Sequence, residues 1–191
     1  MALYTSSYLK NLSRTATENV RLYADSNKSR TNFDIFLCHS YLDKDEVEGL
    51  YLELTKMGYS VYIDWIIDPQ LDRDNVTKEN AELIRKRLRS SKTLLLAISV
   101  NASLSKWVPW ELGYVDGHTQ QCGLVPIARN NETLNSFHRT EYLKLYPYID
   151  KPANHYRFGG KLWAVEDANR YVELTSWIRG SKPSYESLNF Y

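Results

Sequence analysis

With 191 residues, 43% of them apolar and 25% charged, the chain has the make-up of an ordinary globule with one sizeable core. Its formal net charge of +1 gives no electrostatic ground for binding nucleic acid or an anionic membrane, and no apolar run reaches the length of a bilayer span. Cys38 and Cys122 both sit in apolar strand-like runs, which favours buried thiols over a disulfide framework or a metal site; with no signal-peptide core at the N-terminus, a cytoplasmic location is expected.

Residues 1–30 are polar, with Tyr8, Leu12, Val20 and Tyr23 spaced as a possible helical stripe, and Ser26–Arg30 reads as a linker. The compact part starts at FDIFLCHS (Phe33–Ser40), a strand ending in small polar residues. Asp43 and Glu46 resemble a capping box. Val47, Leu50, Tyr51 and Leu54 then recur at helical spacing up to Gly58, a natural stop. SVYID (Ser60–Asp64) alternates and is β-branched, so it predicts a second strand. Trp65–Asn75 reads as an Asp-rich loop broken by Pro69.

Thr77 is placed to cap a helix carrying Ala81, Ile84 and Leu88 on one face. TLLLAIS (Thr93–Ser99) is a third strand without alternation, as expected of a strand covered on both sides. A helix is expected from near Ser105 to about Thr119, then a fourth strand at Gly123–Ala128. Tyr142–Ile149 is a weaker fifth, because Pro147 demotes it. Ala164–Ile178 has the spacing of a last helix. The division expected is 1–30 as an N-terminal extension, 31–150 as the main domain, and 151–191 as a C-terminal helical extension packed on it.

Strands alternating with helices imply a parallel sheet covered on both faces. A flavodoxin-like sheet of about five strands, order 2-1-3-4-5, satisfies the handedness and connection rules. Ligands in such sheets bind beyond the carboxyl ends of the strands, where neighbouring connections diverge. His39, Ser40 and Tyr41 leave the first strand there, Asp64 and Trp65 the second, and Ser99 the third. Trp107 and Glu111 follow, four residues apart and so on one helical face.

Glu111 is the candidate for chemistry. Trp107, Val108, Pro109 and Trp110 would desolvate it, raising its pKa and strengthening its effect on a nearby developing cation. A carboxylate facing a ribose can hold its hydroxyls and stabilise an oxocarbenium-like transition state. The competing reading is a helix acid bonded to a neighbouring backbone group or arginine. Trp65 could stack on a base or cover the sheet edge, and His39 could donate to a substrate or simply close a strand end. The run Arg85–Arg89 reads as a solvated face rather than a phosphate grip. No glycine-rich phosphate loop, no metal-ligand spacing among His39, His118, His138 and His155, and no GxSxG elbow occurs.

Together FDIFLCHSYLDKD, GYSVYIDW, SSKTLLLAIS and SKWVPWEL resemble the Toll/interleukin-1 receptor (TIR) domain family, especially its bacterial enzymatic members, over about Phe33–Ala128. The SxWxxxEL element is the specific one. The resemblance implies that Glu111 is the catalytic glutamate, that NAD is a substrate with no other cofactor or metal, and that the nicotinamide–ribose bond is cleaved to ADP-ribose or a cyclic isomer. His39, Ser40, Tyr41, Asp64, Trp65, Ser99 and Trp107 would line the substrate site. The family also implies self-association on activation and, in bacteria, a signal in anti-phage defence read by a separate effector protein. Non-catalytic TIR modules, and deoxyribosyltransferase-like enzymes with the same sheet type, are the alternatives. The sequence departs from many relatives in a glycine-free second loop and in Trp107-Val108-Pro109 ahead of the acid.

Overall fold

The computed structural model of the protein describes residues 4–15, 18, 22, 26, 27, 29–99, 101–128, 141–151 and 160–185. The central strands are β2 (Phe33–Cys38), β3 (Val61–Tyr62), β4 (Ser91–Ile98), β5 (Cys122–Ala128) and β6 (Tyr148–Asp150), and they lie in the order β3-β2-β4-β5-β6. Counted from Phe33 this is 2-1-3-4-5, as expected, and every pairing among these strands is parallel. Ile35, Phe36, Leu37 and Cys38 of β2 and Leu94, Leu95, Leu96 and Ala97 of β4 are all buried, which explains the missing alternation: both faces are covered. The connecting helices are α2 (Lys44–Lys56), a short α3 (Asp64–Ile67), α4 (Lys78–Arg89) and α5 (Val108–His118). The second strand is shorter than expected, because Asp64 already begins α3.

Local signals explain several boundaries. Gly58 ends α2 with a φ of +92°, a conformation that costs glycine nothing. Thr77 caps α4 by accepting from the N–H of Asn80 at 3.1 Å. The capping box at Asp43 and Glu46 does not form. The Asp43 carboxylate instead accepts from Ser99 Oγ and from Asn101 Nδ2, and Glu46 accepts from Ser6 Oγ at 2.7 Å.

The N-terminal extension belongs to the same body. β1 (Tyr4–Thr5) pairs with the end of β5, and α1 (Ser6–Thr15) crosses α2 at very short range. A Cβ at Gly49 would stand 2.0 Å from the carbonyl oxygen of Leu9, so only glycine permits this crossing. Leu9 is fully buried there. Polar bonds run along the crossing, from Tyr8 OH to Glu53 and from Ser13 Oγ to Glu48, and Lys151 after β6 also pairs with Glu53 at 2.8 Å. Of the stripe read in the sequence, Val20 and Tyr23 lie outside the described residues.

The C-terminal part corrects the sequence reading. In place of one helix over Ala164–Ile178 the chain forms β7 (Trp163–Val165), β8 (Arg170–Glu173) and a short α6 (Leu174–Ile178), with β9 (Ser184–Tyr185) beyond. β7, β8 and β9 extend the sheet beyond β6 by antiparallel pairing. The reason is the turn between β7 and β8, where Asp167 Oδ1 accepts from the N–H groups of Asn169 and Arg170 at 2.9 and 3.0 Å. That aspartate–backbone turn competes with helix, and the apolar spacing of 171–178 is then divided between a strand and one helical turn. Pro147 does not obstruct β6; it stands at the strand's entrance, where its carbonyl accepts from Leu124 N–H at 2.9 Å. Trp177 of α6 packs over Gly123, where an added Cβ would meet its ring at 3.0 Å. No helix among the described residues is long and apolar enough to cross a membrane. Both cysteines are free and buried; burial pushes the Cys122 thiol up to about 12.

Candidate active site

The carboxyl ends of β2 and β3, the loop after α3 and the start of α5 converge on four buried polar side chains: His39, Asp64, Arg73 and Glu111. His39 sits just past β2, and its Nδ1 lies 2.8 Å from the carbonyl of Leu37. That contact places the ring proton on Nδ1 and leaves Nε2 as an acceptor. Burial drives the His39 pKa down to about 4, against the opposing pull of Asp64, so the ring is neutral at ordinary pH. Trp65 meets it edge-on with ring centres 4.6 Å apart.

Asp64 opens α3. One of its oxygens accepts from Trp65 N–H at 2.9 Å, and the other takes the Arg73 Nε–H. Glu111, in the first turn of α5, is wholly inaccessible to solvent. Desolvation raises its pKa, with Arg73 pulling the other way, and the helix N-terminus also favours its ionised form. Its Oε1 lies 3.1 Å from Arg73 Nη2. The arginine reading weighed for this acid is therefore met in the structure, by a residue the sequence did not single out.

The pairing is incomplete. Both Arg73 Nη atoms and His39 Nε2 are buried without an aligned hydrogen bond, and the Glu111 oxygens have only the off-axis contacts of Arg73 and the Cys38 thiol. Structural ion pairs settle into bidentate, saturated geometry, and buried polar groups left unsatisfied are costly. The stoichiometry is also unequal: two carboxylates face one guanidinium beside a neutral imidazole. Such a cluster leaves one carboxylate charge without a balancing cation. Among the described residues there is no group of acids, histidines or cysteines that could hold a metal ion.

The other residues expected at the site divide. Trp107 donates its indole N–H to the carbonyl of Arg73 at 2.7 Å, and so reaches the cluster through the loop. Ser40 is buried at the end of β2, and Ser99 is tied to Asp43 in a neighbouring knot. Tyr41 is exposed and stands against half-buried Trp65 with ring centres 6.3 Å apart, while Lys44 Nζ lies 5.7 Å from the Trp65 ring centre. An open groove on α4 between Glu82, Lys86 and Arg89 shares no residue with the cluster.

Sequence reasoning missed Arg73, and it read Asp43 only as a helix cap. The signal for Arg73 was a lone cation among Asp68, Asp72 and Asp74, opposite two expected acids. It also missed Arg87, which turns inward from the Arg85–Arg89 run to grip Asp68 with two bonds of 2.7 and 2.6 Å.

Comparison with known proteins places the chain in a family. The chain is 40% identical over 165 residues, 86% of its length and 85% of the relative's, to a Bacillus cereus (strain MSX-D12) protein named "Probable 3' cyclic ADP-D-ribose synthase ThsB'". It is 28% identical over 95 residues to a Cytobacillus dafuensis protein named "Putative cyclic ADP-D-ribose synthase TIR2", spanning 49% of this chain and 25% of that one. Among solved structures, the TIR domain of the Toll-related receptor TRR-2 from Hydra magnipapillata overlaps 57% of this chain and 82% of its own, at 20% identity and a TM-score of 0.40. The TIR domain family matches residues 35–156, a span that holds all four residues of the buried cluster. The chain belongs to the TIR domain family.

Proposed function

We propose that this protein consumes NAD, breaking the bond between nicotinamide and ribose and closing the remaining ADP-ribose into a cyclic isomer. The observation that carries the reading is the buried cluster, in which Glu111 and Asp64 outnumber Arg73 and several polar atoms lack aligned partners. The substrate's pyridinium ring and its ribose hydroxyls supply the cation and the hydrogen-bonding groups that this cluster is short of. The name of the Bacillus cereus relative supports the same chemistry and the cyclic product.

In this mechanism the Glu111 carboxylate receives the ribose hydroxyls beside the anomeric carbon. As the carbon–nitrogen bond breaks, its electron pair passes to the ring nitrogen and nicotinamide leaves neutral. The positive charge left on the ribosyl carbon and ring oxygen develops beside Glu111 in a site of low polarity, where it is stabilised most. A hydroxyl oxygen of the same molecule then bonds to that carbon and loses its proton to solvent. Capture by water in place of that hydroxyl gives linear ADP-ribose. Trp65 and Tyr41 offer ring faces at the mouth, and His39 Nε2 accepts from a substrate hydroxyl. By resemblance to bacterial TIR enzymes, the protein self-associates on activation and its product is a signal, in anti-phage defence, read by a separate effector protein.

The test is to incubate concentrated protein with NAD and separate products by mass and retention, with Glu111→Gln alongside. The wild type is expected to release nicotinamide and a cyclic isomer, and the variant at least about a hundredfold less. Undiminished release by Glu111→Gln would remove the assignment. The Arg73–Glu111 contact favours one other reading, a scaffold TIR module whose acid is purely structural; that module would assemble at high concentration and release no nicotinamide.

A further inference from the structure

We infer that Arg73 is an internal stand-in for the substrate's cation: its guanidinium fills the subsite of the pyridinium ring and ribose, and it must withdraw before substrate binds. The inference rests on the function proposed above and concerns how the same site is occupied. A guanidinium is flat, delocalised and charged, as is the pyridinium ring while its nitrogen is bonded to ribose. Here it touches both acids of the cluster, Asp64 through Nε and Glu111 through Nη2. While it stays, it holds the edge of each carboxylate that the substrate's ring and ribose would meet.

The fit is that of a substitute. Arg73 is largely buried, yet both Nη atoms lack an aligned acceptor, where a purely structural arginine saturates its donors. The loop that carries it is anchored at its ends. Asp68 is gripped by Arg87 and by Tyr62 OH at 2.9 Å, and Asn80 Nδ2 holds the carbonyls of Asp72 and Asn75 at 2.8 Å each. Between the anchors, Asp72, Asp74 and Asn75 are exposed. The Arg73 side chain is held inward by the two acids, and its carbonyl by the Trp107 indole. Apart from Leu71, which packs against the core, the segment buries little apolar surface, and such segments open locally at low cost. Substrate affinity is then reduced by the fraction of molecules in which the arginine is in place.

The experiment reads binding and needs no turnover. The full chain is titrated calorimetrically with a carbocyclic analogue of NAD, whose ribose ring oxygen is a methylene and whose ring bond is not cleaved. Arg73→Ala is expected to bind at least tenfold tighter than wild type, and added guanidinium ion to compete with the analogue in that variant but not in wild type. Trp107→Phe keeps both acids paired and frees only the loop carbonyl; it is expected to tighten binding about threefold and decides the matter if Arg73→Ala does not fold. Equal or weaker binding by the folded variants, or absence of binding in all, overturns the inference. Nicotinamide release by wild type against Glu111→Gln judges the function separately.

Discussion

Trp107 donates its indole N–H to the backbone carbonyl of Arg73 at 2.7 Å. The residue just ahead of α5 thereby holds the loop whose side chain neutralises the acid one turn further along that helix. Position 107 and position 111 lie on one helical face, as their spacing requires, but they act on the same arginine from two sides: one on its backbone, the other on its charge.

Glu111→Gln is expected to raise stability while it abolishes turnover. It leaves Asp64 and Arg73 as a balanced pair and removes the surplus buried carboxylate, whose raised pKa marks it as costly to hold ionised. The gain should be about 1 kcal/mol, the size common when a strained functional group is neutralised. Urea unfolding of the two proteins at pH 7 measures it, and a variant clearly less stable than wild type would show that the acid is structural.

His39 should make the fold sensitive to mild acid. Its pKa is lowered from 6.5 to about 4 by burial, so between these values the unfolded chain takes up the proton first. The corresponding stability is complete above about pH 6.5 and is lost as pH falls towards 4, by up to about 3 kcal/mol. Unfolding followed from pH 7.5 to 4.5 should show this slope in wild type and a shallower one in His39→Gln.

Gly49→Ala is expected to separate α1 from α2. The new methyl would collide with the Leu9 backbone at 2.0 Å, and a backbone cannot rotate aside as a side chain can. Loss of the Leu9 contact alone amounts to about 2 kcal/mol, and steric strain adds to it. Denaturant unfolding together with limited proteolysis near residues 16–30 would detect the detached segment.

Trp177→Ala should destabilise the whole chain. The ring is buried against Gly123 and beside β6, and removing a buried tryptophan costs about 3–5 kcal/mol. If the hairpin strands and α6 fold as one unit with the central sheet, near- and far-ultraviolet signals of the variant will fall in a single shifted transition. Two separated transitions would show an independent C-terminal unit.

The central sheet was legible because its signals are local and strong. Uninterrupted apolar runs such as Thr93–Ile98, with Gly58 and Thr77 at helix ends, leave few ways to build it. The C-terminal strands were not legible. Tyr171, Val172, Leu174 and Ile178 fit helical spacing, and only the Asp167 turn and the pairing of Ala164 with Val172 show that half of the pattern is strand. That Glu111, Asp64 and His39 come together was legible because topology sends strand ends to one edge. Arg73 was not, since a loop residue has no periodicity to show which way it points.

By itself the sequence determined the sheet order, the family and the acid at the head of α5, since burial patterns, capping residues and a spaced motif are all properties of neighbouring positions. Only the tertiary structure decided what that acid faces. Arg73 is thirty-eight positions away along the chain, and a charge pair of that separation exists only when a loop and a helix start are brought together by a sheet that neither encodes.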